Sequence, residues 1–188
     1  MYEFKYPARG HTAVSQRIIE LLEGAKIPVR EDSEHGLDHG TWSPLSIVFP
    51  KADIPIIQVS LESSLDPSFH LQVGRALAPL QYEDVLVIGS GSATHNLRDF
   101  RGATAGQVAE YAVEFDGFLR DMLTSVQGEE RSERLRKIMS HPHARRAHPS
   151  TEHLAPVFVA AGAGYDFKGA SLHEDMVHGA LSMACYSF

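Results

Sequence analysis

One cysteine, Cys185, is all the thiol chemistry this chain carries, which excludes an internal disulfide and a cysteine-based zinc site. That scarcity suits a reducing compartment, and Cys185 reads as a small buried residue of a terminal strand rather than a catalytic thiol. No run approaches the ~20 consecutive apolar residues that a membrane span needs. The start, "MYEFKYPARG", lacks the pattern of a signal peptide. Basic charge is also in deficit, with 17 Lys and Arg against 24 Asp and Glu and a formal net charge of -7. A nucleic-acid surface needs clustered Lys and Arg, and the one short basic stretch, "HPHARRAHP", is too small to supply it. The chain therefore reads as cytoplasmic, without a nucleic-acid or membrane partner.

What is present suffices for one globular domain over residues 1–188, since 43% hydrophobic residues can build a core at this length. The pattern alternates helix and strand. "AVSQRIIELLEGAKIPV" places Val14, Ile18, Leu21 and Leu22 at helical spacing and stops at Gly24, ahead of a short strand at Ile27 to Val29. "LSIVF", "IPIIQVSL" and the Val85 to Ile88 run are apolar and β-rich, so they read as buried strands. "PSFHLQVGRALAPL" reads as a helix with Phe69, Val73, Leu77 and Leu80 on one face, and from Ala103 the chain turns helical for most of its middle. "STEHLAPVFVAAGAG" reads as a helix with Ser150 as its N-cap, and "HGALSMACYSF" as a closing strand. Helices between buried strands predict a layered α/β domain.

Histidine is the residue in excess, with 11 in the chain. It is the commonest metal ligand and the usual acid-base group near neutral pH, so each position needs a hearing. In "GLDHGTWSPL" the glycines around Asp38 and His39 predict a loop that presents the ring. In "GSGSATHNLR" a small-residue turn after a strand delivers His95, beside Asn96, where α/β proteins bind ligands. That turn lacks the third glycine of a dinucleotide fingerprint and any Walker lysine or serine-hydrolase elbow, and His95 is open to two readings, a site residue or a loop histidine satisfied by backbone. In "HPSTEHLAP", Glu152 and His153 are both plausible ligands at a helix start. His141, His143 and His148 read mainly as surface residues, His173 and His178 as loop residues, His70 as helical and His35 as part of a turn. None of these spacings is a zinc finger or a His-Glu-x-x-His site, so a metal centre would have to be assembled from distant loops.

Taken in order, "GLDHGTWSPL", "IPIIQVSL", "VLVIGSGSATHNLR", "AHPSTEHLAPVFVAAGAG" and "GALSMACYSF" resemble the DOPA 4,5-dioxygenase-like branch of the class III extradiol ring-cleavage dioxygenases. The resemblance implies an α/β fold with a central, mostly buried mixed sheet between helices, and a mononuclear non-haem iron(II) or zinc site at a sheet edge. It implies insertion of dioxygen into a small catechol-type ring beside the diol. By the same resemblance His39 would line the substrate pocket and hydrogen-bond the substrate or bound oxygen, with Asp38 and Asn96 also binding the substrate. His95 would serve as acid-base group or metal neighbour beside Asn96, and Glu152 or His153 as the C-terminal metal ligand.

Members of that family begin with a strand ending in a His-Gly-Ser/Ala-Pro-type motif and carry a second histidine ligand further on. Neither is found here, and His11 has neither the preceding strand nor the following Pro. The chain is thus expected to be N-terminally truncated relative to the family, with an open sheet edge that would favour a homodimer. Two rival readings follow. One is a catalytically incomplete paralogue that binds a metal or small aromatic, or partners a complete subunit; the other is a metal-dependent hydrolase or lyase on a related scaffold.

Overall fold

The computed structural model describes residues 5–100 and 107–188. It divides the chain into two units, Met1–Ser60 and Leu61–Phe188.

Helix caps organise the first unit. The imidazole of His11 accepts from the Val14 N–H and starts α1 (Thr12–Gly24), which buries Ile18 and Leu22. Asp38 starts α2 (His39–Val48) in the same way, its carboxylate accepting from the Thr41 N–H at 3.0 Å. The tyrosine hydroxyl of Tyr6 then donates to the carbonyls of Leu45 and Phe49 at the far end. Two expectations are corrected here. His39 is the first residue of a helix rather than part of a loop, and the predicted strand "LSIVF" lies largely in the second half of that helix. The reason is local: a strong N-cap seven residues upstream commits the chain to helix before its β-branched run begins, and Pro44 in the first turns does not undo it. Ile27 to Val29 and the "IPIIQVSL" run, expected as strands, form no strand among the described residues. Of the latter, Ile56 donates its N–H to the Arg9 carbonyl at 2.8 Å.

The second unit is built on a close helix crossing. Asp66 caps α3 (Pro67–Leu77), with Pro67 in its first turn, and a 3-10 helix at Ala78–Tyr82 follows. After the short α4 (Leu97–Phe100) come α5 (Glu110–Thr124), α6 (Gly128–Arg136), α7 (Ala144–Ala147) and α8 (Ala155–Ala163). The expected helical start at Ala103 to Gly106 lies outside the described residues. A Cβ at Gly74 of α3 would fall 2.1 Å from the Val159 carbonyl of α8, and one at Gly162 would fall 2.4 Å from the Leu71 carbonyl. Only glycine lets these two helices touch backbone to backbone. Tyr111, Ala112, Phe115, Leu119, Met122 and Leu123 of α5 fill the core beside them.

The fold is α/β, with a smaller sheet than expected. Strand β1 (Ala170–His173) pairs antiparallel with β4 (Cys185–Ser187), and β2 (Met176–Val177) with β3 (Leu181–Ser182). The "HGALSMACYSF" tail does close the chain as strand, but Cys185 is exposed rather than buried. The central mostly buried sheet is corrected for the described residues, because the Val85 to Ile88 run has no ladder and leaves Leu86 77% and Ile88 54% exposed. An apolar run fixes extension, whereas a ladder also needs a neighbouring strand with N–H and C=O groups facing it. Among the described residues no helix is long and apolar enough to cross a membrane.

Candidate functional site

Two segments of the second unit, residues 89–96 and 146–153, lie against each other and carry the candidate histidines. The glycine-rich turn is what allows the approach. A Cβ at Gly89 would stand 2.4 Å from the Pro156 carbonyl, and one at Gly91 would stand 2.2 Å from the His153 carbonyl. These glycines therefore serve backbone packing in place of the ligand cradle their sequence suggested. Backbone bonds complete the contact: the Ser92 N–H donates to the His153 carbonyl and the His95 N–H to the Ala147 carbonyl, both at 2.8 Å.

The outcome is a stacked histidine pair. The rings of His95 and His153 lie 3.6 Å apart, centroid to centroid, at 24°. Glu152 is exposed, takes a hydrogen bond from the Ser150 hydroxyl at 2.7 Å, and is near enough to both rings to feel their charge. The Ser150 bond, the Glu152 N–H and then the two histidines hold its carboxyl below the usual range, so it is an anion at neutral pH. Ser150 is not the helix cap expected of it, since α8 begins at Ala155 and its first carbonyl acceptor is Thr151. Glu152 and His153 thus precede the helix instead of occupying its first turn.

Beneath His95 runs a buried polar network. The Thr94 hydroxyl donates to the Ala180 carbonyl at 2.8 Å and accepts from the Ser182 N–H at 2.7 Å. The Ser182 hydroxyl donates to Asp116 at 2.6 Å. Burial pushes the Asp116 carboxyl up, and the Ser182 bond opposes that. Asn96 is also held by structure: its amide donates to the Arg146 carbonyl, and its oxygen accepts from the N–H groups of Arg98 and Asp99 at the start of α4.

His148 is the residue that sequence reasoning placed wrongly. Expected on the surface, it is wholly buried, with its Nε2 2.9 Å from the Ala93 carbonyl and its ring edge-on to Phe115 at 5.4 Å. The signal was the pair of small residues Ala144 and Ala147, both buried, which put position 148 on the inward side of α7. Burial pushes its pKa down to about 4, outweighing the Ala93 bond, with His95 and His153 adding a smaller push. His70 is buried too but fully served, its Nε2 accepting from the Glu62 N–H and its Nδ1 lying 2.7 Å from the Asp66 carbonyl. His178 lies in the β2–β3 turn with φ 49°.

The second unit thus brings together His95, Glu152 and His153, with Asn96 beside them. His39 and Asp38 belong to the first unit, where His39 is exposed and the Asp38 carboxylate caps α2. Two imidazoles and a carboxylate are the right kinds of donor for non-haem iron or zinc. Among the described residues, however, no three His, Cys, Asp or Glu side chains converge on a metal position. The set as placed does not complete a metal centre.

Comparison with known proteins agrees with the resemblance in the sequence. Residues 1–188 match the family described as the catalytic LigB subunit of aromatic ring-opening dioxygenase. The 4,5-DOPA dioxygenase extradiol of Beta vulgaris is 42% identical over 190 residues, covering 100% of this chain and 69% of that protein. The protein of the same name from Escherichia coli is 36% identical over 164 residues, covering 87% of this chain and 59% of its own length. The crystal structure of an uncharacterized protein from Escherichia coli K12 superposes with a TM-score of 0.88 at 33% identity, covering 100% of this chain and 77% of that one.

Proposed function

Because the chain belongs to the LigB family of class III extradiol ring-opening dioxygenases, we propose that it opens a catechol-type ring, of which DOPA is the first candidate. The reaction breaks the ring carbon–carbon bond beside the diol and leaves one atom of dioxygen on each carbon that bond had joined. The observation that supports it in this chain is the His95–His153 stack, with an ionised carboxylate, Glu152, beside it.

In this reading His95 is the acid-base group. It removes a proton from a catechol hydroxyl and returns one after the ring opens, a role that suits an imidazole near neutral pH. The stacked His153 ring fixes the plane of His95, and the His95 N–H bond to Ala147 fixes its backbone. His39 and Asp38 are proposed to contact the substrate, and Asn96 to hold the loop from which His95 projects. The cofactor of the reading is a mononuclear iron(II) or zinc ion, toward which His95, Glu152 and His153 are the donors the chain offers. Among the described residues these do not form a complete ligand set. The proposed setting is a single catalytic domain, cytoplasmic, working as a homodimer.

Oxygen uptake tests this directly, with added iron(II) or zinc and a panel of catechols including DOPA and protocatechuate. Catechol-dependent uptake that is lost in His95→Ala supports the reading. Metal binding and turnover independent of oxygen would replace it with the hydrolase or lyase reading. A second reading, a chain that binds an aromatic or partners a complete subunit, draws on the incomplete ligand set among the described residues. Catechol binding with no oxygen uptake would favour it.

A further inference from the structure

The buried ring of His148 is used at one nitrogen only. Its Nε2 lies 2.9 Å from the Ala93 carbonyl, and its Nδ1 is buried with no hydrogen-bond partner among the described residues. A carbonyl can only accept, so Nε2 carries the proton and Nδ1 is a bare acceptor. An unmet buried acceptor costs stability that an apolar side chain of similar size would not cost. Stability alone therefore does not account for an imidazole here.

Its one bond joins the two segments that carry the histidine pair. Ala93 lies two residues before His95, and His148 five residues before His153. On one side of this bond the His95 N–H reaches the Ala147 carbonyl, and on the other the Ser92 N–H reaches the His153 carbonyl. The side chain thus fills the middle of a seam that backbone bonds close at both ends. We propose that His148 is a positioning residue: the Nε2–H bond to Ala93 holds the 89–96 and 146–153 segments in register, and so keeps the His95 and His153 rings stacked.

The inference deepens the proposed role of that pair, but its test does not depend on turnover, so the two can fail separately. His148→Leu removes the bond and the unmet acceptor together. His148→Gln keeps a donor amide at about the position of Nε2. Hydrogen exchange and imidazole proton shifts are measured by NMR on the full chain with each substitution. In His148→Leu the Ser92 and His95 amides are expected to exchange about fivefold faster or more, and the ring-current displacement of the His95 and His153 ring protons to shrink. Amides of α5 keep their protection, and His148→Gln restores both signals toward wild type. Unchanged Ser92 and His95 exchange in His148→Leu would overturn the proposal. So would loosening shared equally by α5, or a glutamine variant no better than leucine.

Discussion

Acidification should weaken this protein through His148 by a predictable amount. The ring is buried and neutral, and its pKa falls to about 4 from the model-peptide value of 6.5. The unfolded chain therefore takes up a proton at higher pH than the folded one, and stability falls as pH drops from 6.5 toward 4. Above that window the contribution is fully present. Working the linkage between about pH 7.5 and pH 5 gives a loss of about 2 kcal/mol from this one group. His95, His153 and Glu152 act on the ring only as smaller contributions beside its burial. The assay is urea unfolding of wild type and His148→Gln at each pH. Glutamine does not titrate, so the stability difference between the two proteins should narrow by about 2 kcal/mol on going to pH 5. A difference that stays constant across the range would refute the argument, because it would mean that the ring is not held neutral by burial.

Three other consequences can be checked by similar means. Gly74→Ala drives a methyl group into the Val159 carbonyl at the α3–α8 crossing, so it should cost about 1–3 kcal/mol or more in urea unfolding, while Gly24→Ala, which meets nothing within 4 Å, should not destabilise. The wholly buried Arg131 donates to the carbonyls of Ala161, Gly164 and Phe167 around the end of α8, so Arg131→Met should cost about 3 kcal/mol or more and lower the thermal midpoint. Asp116→Asn keeps an acceptor for Ser182 while removing a charge that burial disfavours. Its stability relative to wild type should rise with pH above the ordinary aspartate range, and parallel pH profiles for the two proteins would contradict this.

Helices whose signals are local were legible in the sequence. The apolar stripe of Phe69, Val73 and Leu77 marked α3, and Gly24 marked the end of α1. The misread elements depended on something further off. "LSIVF" was judged by its own β-branched composition, but the Asp38 cap upstream had already committed the chain to helix. The Val85 to Ile88 run was read as a buried strand from its apolar composition, but pairing and burial depend on a neighbouring strand, and Leu86 and Ile88 are exposed. His95 was singled out by its small-residue turn and Glu152 and His153 by residue type at a helix start, and the structure places the three near one another. The meaning of the glycine turn was not, because Gly89 and Gly91 answer to the carbonyls of Pro156 and His153, more than sixty positions away. His148 was missed for a similar reason: a histidine in a basic stretch looks solvated until Ala144 and Ala147 are seen to face inward.

Ring opening by dioxygen is read from the mass of the product formed from a catechol under isotopically labelled dioxygen with iron(II) or zinc supplied. Ring opening by dioxygen gives a product that keeps at least one labelled atom, fixed in the new carboxylate, and little or no such product from the His95→Ala protein. A ring-opened product without label, or equal labelled product from His95→Ala, would contradict it.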